Sequence, residues 1–297
     1  MVIVNASAGS GYDNAWSTQL ADYFLAAGMK AEINLAKSGA DMIDVARKAV
    51  ADGCRIVVAG GGDGTINAVA SVLVGSDVML GVLPLGTLNH FAKDLGIPLI
   101  LEDAVRVIAG RQAIRVDTGE VNGRLFLNNS SLGLYPDIVR DREKQQRRLG
   151  RGKWLAFTWA TVAALRRYPF LNVLLHLNGT EQRIRAPFIF VGNNHYRMEG
   201  FNIGERDALD SGELSLYVAN RTGRFGLLAL ALHALFGKLK QAKDFNMLQA
   251  RDILIETRHN RLRVATDGEV TVMTTPLRYV MRPASLHVIV PPSSTSS

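Results

Sequence analysis

The sequence predicts an α/β chain in two parts: a parallel sheet with crossover helices at the N-terminus, then a mainly antiparallel β-sandwich. Three observations lead there. Over about the first 115 residues, short β-branched runs alternate with longer amphipathic stretches, the pattern of βαβ units. One strand in that stretch runs straight into a glycine-rich turn and a helix, Ala59 to Thr65. From about Val116 the texture changes to short alternating strands, with Asn178-Gly179 between two of them as a hairpin signal.

Taken in order, Val2 to Asn5 is a strand, followed by a helical stretch with Leu20, Tyr23, Phe24 and Leu25 at near-helical spacing. Then come strand Ala31 to Leu35, helix Ala40 to Ala51, strand Arg55 to Ala59, helix Thr65 to Val74, strand Met79 to Leu83, and helices near His90 and Glu102. The second half gives strands Arg124 to Leu127, Asn172 to Leu177, Gln182 to Arg185, Phe188 to Val191, Glu213 to Val218, Asp252 to Glu256, Leu262 to Thr266, Val270 to Thr274 and Leu277 to Met281. Two helical interruptions are expected, Asp137 to Tyr168 and Gly223 to Lys243. The domains are expected at 1–117 and 118–281, with 282–297 a candidate to return to the first.

With 297 residues, 47% hydrophobic, the chain can bury two ordinary cores. Its single cysteine, Cys54, lies in an apolar run and cannot form an internal disulfide, which points to a reducing compartment. The start reads as a strand rather than a signal peptide, and the longest apolar run, Leu227 to Phe236, is about half a bilayer span. The 34 basic against 27 acidic side chains leave a net charge of +7, which favours an anionic partner. No zinc spacing or aromatic–basic interleaving accompanies that charge, so nucleic acid is the least expected partner.

Ligands of parallel sheets bind where strands end and helices begin. At Gly60-Gly61-Gly62-Asp63-Gly64-Thr65 the glycines allow close backbone approach, and the helix start offers unbonded N–H groups and a positive dipole end. The same glycines also suit a simple tight strand-to-helix turn. Asp63 beside such a cradle is suited to orient magnesium, directly or through water.

Gly61 to Thr65, reading GGDGT, resembles the signature of the diacylglycerol kinase catalytic family, which includes bacterial lipid kinases, sphingosine kinases and ceramide kinases. The resemblance extends along the chain: Asn5-Ala6-Ser7-Ala8-Gly9-Ser10-Gly11, Pro84 to Ala92, Val116 to Gly119, Asn129 to Gly133 and Asp267-Gly268-Glu269 all resemble family blocks in the family's order. It implies ATP as donor and magnesium as cofactor, with Asn5, Gly9, Ser10, Gly61, Gly62, Asp63, Gly64, Thr65, Gly86, Thr87 and Asn89 on the nucleotide.

The resemblance makes Asp267 the general base and Glu269 its partner, with Asp63 completing the catalytic set, although Asp-Gly is also ordinary hairpin chemistry. Where the family commonly has two carboxylates, this chain has Ala68 and His90. The segment Glu205 to Glu213 resembles a stretch that in some members holds a structural magnesium. Asp207 and Asp210 are the remaining donors and Ser211 replaces a third, while turn formation before the strand Glu213 to Val218 is the simpler use of the two aspartates.

Residues 140 to 153 carry seven basic and two acidic side chains and lead into Trp154 and Trp159. They suit either a solvated loop or a contact with an anionic bilayer, in which Arg147, Arg148, Arg151, Lys153 and Trp154 meet lipid. The function expected is transfer of the γ-phosphate of ATP to a lipid hydroxyl, on diacylglycerol or a ceramide- or sphingoid-like lipid, by a cytoplasmic enzyme held peripherally at the inner membrane face. A soluble NAD-type kinase, or a nucleotide-binding membrane regulator without catalysis, are the alternatives. Nothing in the sequence speaks to oligomeric state.

Overall fold

The computed structural model describes residues 1–6, 12–133, 170–199, 202–206, 208–219 and 245–292. The chain divides into two compact units, Met1–Thr118 with Arg282–Ser297, and Gly119–Met281. The expected helical interruptions at 137–168 and 223–243 lie outside the described residues. Among the described residues, no helix is long and apolar enough to cross a membrane.

The first unit alternates as its sequence pattern dictates: β1 Val2–Asn5, α1 Asn14–Ala26, β2 Ile33–Ala36, α2 Gly39–Ala51, β3 Ile56–Gly61, α3 Asp63–Leu73, β4 Met79–Pro84, α4 His90–Asp94, α5 Leu101–Gly110 and the start of β5 Ala113–Val121. Strand order is β2-β1-β3-β4, each pair parallel. The end of the chain's last strand joins beyond β4, also in parallel, with His287 opposite Met79. β3 is buried on both faces, as an interior parallel strand requires. α1 and α2 start where side chains cap them: Asp13 Oδ1 accepts from Trp16 N at 2.9 Å, and Ser38 Oγ from Asp41 N at 3.2 Å. The returning strand is held by Asp117, 2% exposed, whose Oδ1 accepts from Ala284 N at 2.8 Å, and by a 2.9 Å contact between the Thr118 and Ser285 hydroxyls.

The second unit holds β6 Arg124–Phe126, β7 Asn129–Gly133, β8 Leu171–Leu177, β9 Thr180–Ala186, β10 Phe188–Asn193, β11 Tyr196–Glu199, β12 Asn202–Arg206, β13 Leu214–Ala219, β14 Phe245–Ala250, β15 Asp252–Thr257, β16 Arg261–Thr266, β17 Glu269–Thr274 and the first part of β18 Leu277–Ile289. One antiparallel sheet runs β14-β13-β10-β7-β16-β17; the other sets β18, β15, β8 and β9 side by side. Their facing apolar residues form one core, with Leu132, Ile189, Val191, Leu216 and Val264 from the first sheet and Leu175, Ile253, Ile255 and Tyr279 from the second. Burial pushes the Tyr279 phenol up, against the opposing effect of its bond with Ser130, so it stays neutral in this core.

Three two-residue hairpins share one chemistry. Asn122-Gly123, Asn178-Gly179 and Asp267-Gly268 each have positive φ at both positions, which Asn, Asp and Gly tolerate and which matches the strand twist. The first of them escapes the sequence reading although its signal equals the others. Strands β7, β11, β12 and β14 also exceed expectation. In β7, Ser130 and Ser131 are fully buried between β10 and β16, so sheet neighbours rather than residue hydrophobicity make it a strand.

Candidate functional site

In the first unit, the ends of β1, β3 and β4 carry the loops singled out by sequence, and hydrogen bonds tie them together. Asn5 Nδ2 donates to Thr65 Oγ1 at 3.2 Å, and Leu85 N donates to Gly61 O at 3.1 Å. A Cβ at Gly61 would run into the Thr65 side chain, and one at Gly86 would overlap Gly62 Cα. Gly61 is therefore demanded by the Thr65 side chain packed against it, and Gly86 by backbone-to-backbone approach to Gly62, which leaves two chain segments touching with no side chain between them. α3 then begins at Asp63, and its first turn points N–H groups without intrahelical acceptors towards the loop. Bare backbone beside unbonded N–H groups is the combination that suits an oxyanion.

The individual side chains divide into those that build the cradle and those that can serve a ligand. Thr65 is 4% exposed and turned into the loop. Asn89, 5% exposed with φ 51°, commits its amide to its own turn: Oδ1 accepts from Gly86 N at 3.0 Å, while Nδ2 donates to Gly86 O at 2.9 Å and Pro84 O at 3.2 Å. These two residues shape the loops. Thr87 is exposed, and Gly62, Asp63 and Gly64 are half-buried. Asp63 Oδ1 accepts from Phe91 N at 3.1 Å, which joins the α3 start to the α4 start; its Oδ2 makes no hydrogen bond among the described residues. A carboxylate oxygen fixed by its twin in this way is the donor type a hard cation selects. Ala68 is half-buried on α3, and His90 is exposed at the first position of α4. Gly9 and Ser10 lie outside the described residues.

Gly86→Ala is expected to force the two loops apart and weaken nucleotide binding by tenfold or more, about 1.4 kcal/mol. Titration with a fluorescent ATP analogue checks it, and unchanged affinity would refute the shared cradle.

In the second unit, Asp267 opens the β16–β17 turn with φ 47°. Its carboxylate is held by three consecutive backbone donors of the β6–β7 segment: Leu127 N to Oδ2 at 2.7 Å, and Asn128 N and Asn129 N to Oδ1 at 2.8 and 3.0 Å. Asp267 N returns a bond to Asn129 O at 2.9 Å. Thus the hairpin residue is also a carboxylate of fixed orientation. Glu269 is two positions on and forms a 2.6 Å ion pair with Arg124 of β6. Arg124, Leu127 and Asn128 carry no signal in the sequence, and Asn129 stands out only as the start of a family-like block, because nothing local marks a pairing with residues about 140 positions away.

Asp210 is exposed beside Ser211, whose N–H and hydroxyl both donate to Asn194 Oδ1 at 3.1 and 2.6 Å. No cluster of three or more metal-ligating side chains occurs among the described residues. Asp207, Arg147, Arg148, Arg151, Lys153 and Trp154 lie outside them.

Comparison with known proteins follows this division. Residues 1–121 match the family model described as diacylglycerol kinase catalytic domain, and residues 136–290 match that of the YegS C-terminal NAD kinase beta sandwich-like domain. A protein of Pseudomonas syringae pv. tomato named "Probable lipid kinase YegS-like" is 29% identical over 276 residues, covering 90% of this chain and 86% of its own. One of Shigella boydii named "Probable lipid kinase YegS" is 40% identical over 117 residues, 37% of this chain and 38% of its own. A solved structure of a diacylglycerol kinase from Bacillus anthracis str. Sterne superposes with TM-score 0.71 at 23% identity, over 99% of this chain and 97% of that one. A second structure from the same organism, titled "a putative diacylglycerol kinase", gives TM-score 0.73 at 25% identity, over 98% and 96%.

Proposed function

We propose, because the chain belongs to the diacylglycerol kinase catalytic-domain family and carries its YegS-type C-terminal β-sandwich, that this lipid kinase uses magnesium ATP and acts on a membrane-held acylated alcohol. Diacylglycerol or a ceramide- or sphingoid-like lipid is the acceptor. The observation that carries the donor half is the Gly62–Gly86 approach beside Asp63, because a polyphosphate needs bare backbone and N–H groups rather than side chains.

Phosphoryl transfer asks a protein for positioning, charge neutralisation and an acceptor for the hydroxyl proton. The first-turn N–H groups of α3 hold the phosphates, and Asn89 and Thr65 keep the loops in register. Asp63 Oδ2 is the oxygen that would hold magnesium, which would supply positive charge against the negative charge of the polyphosphate. Asp267, its carboxylate oriented by three N–H donors, takes the proton of the lipid hydroxyl as that oxygen bonds to the γ-phosphorus and the bond from the γ-phosphorus to ADP breaks. Glu269, paired to Arg124, keeps the neighbouring strand end in place.

The test is incubation of pure protein with γ-labelled ATP, magnesium and vesicles carrying a panel of lipids, with the product identified by mass. A phosphorylated lipid is expected. Phosphorylation of NAD without vesicles, or no transfer at all, would overturn the reading.

The basic segment 140–153 is our candidate for the anionic membrane contact, since basic residues near such a surface contribute about 1 kcal/mol each and weaken with salt. Changing Arg147, Arg148, Arg151 and Lys153 together to Glu is expected to reduce vesicle binding and turnover of vesicle-held lipid sharply. Turnover of a short-chain, water-soluble analogue should stay within about threefold. Equal loss on both substrates, or unchanged vesicle sedimentation at low salt, would remove this segment from the membrane contact.

A further inference from the structure

Arg206 is a charged side chain only 9% exposed, and it reaches the same three-residue segment that holds Asp267. Its Nη1 donates to Leu127 O at 2.7 Å and to Asn193 O at 3.5 Å, and its Nη2 donates to Asn128 Oδ1 at 3.1 Å. The register of the β11–β12 ribbon places Arg206 opposite Tyr196, and the guanidinium lies 5.7 Å from that ring's centre. Tyr196 also takes part: its hydroxyl donates to Asn128 O at 2.9 Å. Asn193 completes the set, with Nδ2 donating to Leu127 O at 2.8 Å and its backbone N to Asn128 O at 2.9 Å.

The geometry matters because of which atoms share a peptide plane. Leu127 C=O and Asn128 N–H belong to one rigid planar unit, and Asn128 C=O and Asn129 N–H belong to the next. Arg206 and Asn193 hold the oxygen of the first plane, and Tyr196 and Asn193 hold the oxygen of the second. The N–H at the other end of each plane is a donor to Asp267 Oδ1. Fixing the oxygens therefore fixes the direction of the N–H groups, and with them the carboxylate. A cation on the first oxygen also polarises that amide, which strengthens its bond to the carboxylate. An arginine keeps its charge when buried and can grip a carbonyl and a side-chain amide at once, which a lysine's single nitrogen cannot match.

We infer that Arg206 is a positioning residue for the Asp267 carboxylate, acting through the Leu127–Asn128 peptide; this rests on the reading of Asp267 as the proton acceptor. No contact of Arg206 with substrate is involved. A purely structural arginine would affect stability and all kinetic parameters together. A positioning residue lowers kcat while nucleotide binding, built from residues 5–89 of the other unit, stays as it was.

The test measures kcat, nucleotide KM and Tm for Arg206→Met and Arg206→Lys. Ile255→Ala, a truncation in the same unit's core, serves as the stability control, and Asp267→Asn is run in parallel. All assays are held well below each variant's Tm. Arg206→Met is expected to lower kcat about tenfold or more with nucleotide KM within about twofold, and Arg206→Lys to fall between it and the parent. If Arg206→Met does not fold, Arg206→Lys carries the test, with an expected loss of at least about threefold in kcat at unchanged nucleotide KM. The inference fails if the folded arginine variant keeps parental kcat, or loses no more than Ile255→Ala. If Asp267→Asn keeps its rate, the proton-acceptor reading itself falls. Loss in Asp267→Asn but not in the Arg206 variants removes only the role of Arg206.

Discussion

Asp267→Asn is expected to lower kcat by about 10²-fold or more while nucleotide KM stays within about twofold. Asparagine tolerates the positive φ of this turn position, so the hairpin itself is not strained by the change. What the change removes is charge and one acceptor oxygen. Three backbone N–H groups converge on the carboxylate, and an amide NH2 in place of either oxygen sets donor against donor. A stability loss of about 1–3 kcal/mol should therefore accompany the catalytic loss. Thermal unfolding and steady-state kinetics on the same preparation separate the two, provided the assay temperature lies well below Tm. Parallel loss of ATP affinity and rate would make Asp267 a nucleotide ligand instead of the base. A kcat within about threefold of the parent would leave it only the clip that joins β16–β17 to Leu127, Asn128 and Asn129.

Asp63→Ala should reduce magnesium-dependent turnover by 10²-fold or more, about 2.7 kcal/mol of transition-state stabilisation. The fold should survive, because Asp63 sits at the half-buried start of α3 and its one hydrogen bond among the described residues is to Phe91 N at 3.1 Å. Asp63→Asn is the informative companion. It can keep the bond to Phe91 N through its amide oxygen but loses the charge, so it should preserve the α3–α4 junction and still lose turnover. If Asp63→Asn retains more than about a tenth of the parental rate, the carboxylate is acting on loop structure and not on the metal.

Much of the chain was legible from local pattern. The β1 to α5 alternation needed only periodicity, since buried parallel strands read as apolar runs and their helices as amphipathic ones. The glycine-rich junction at Gly61 to Thr65 was equally plain, because glycine is required there by contacts within a few residues or between adjacent strand ends. The turn dipeptides Asn178-Gly179 and Asp267-Gly268 announce their own backbone conformation.

What only the tertiary structure decided is how each polar side chain is used. Asn89 carries the residue type of a ligand site, yet the fold commits its amide to its own loop, while the Thr65 hydroxyl accepts from Asn5. Strand β18 continues past Met281 because β4 supplies a parallel partner at Met79 and Leu80, a pairing no local alternation encodes. The holding of Asp267 by Leu127, Asn128 and Asn129, and the grip of Arg206 on two of those residues, join positions 78 to 140 apart in sequence. The sequence by itself determined which residues can bend, bury or carry charge, because those properties are set by each side chain and its immediate neighbours. Which donor meets which acceptor was decided by strand order and register, because hydrogen bonds act over about 3 Å and only the folded sheets bring such distant residues that close.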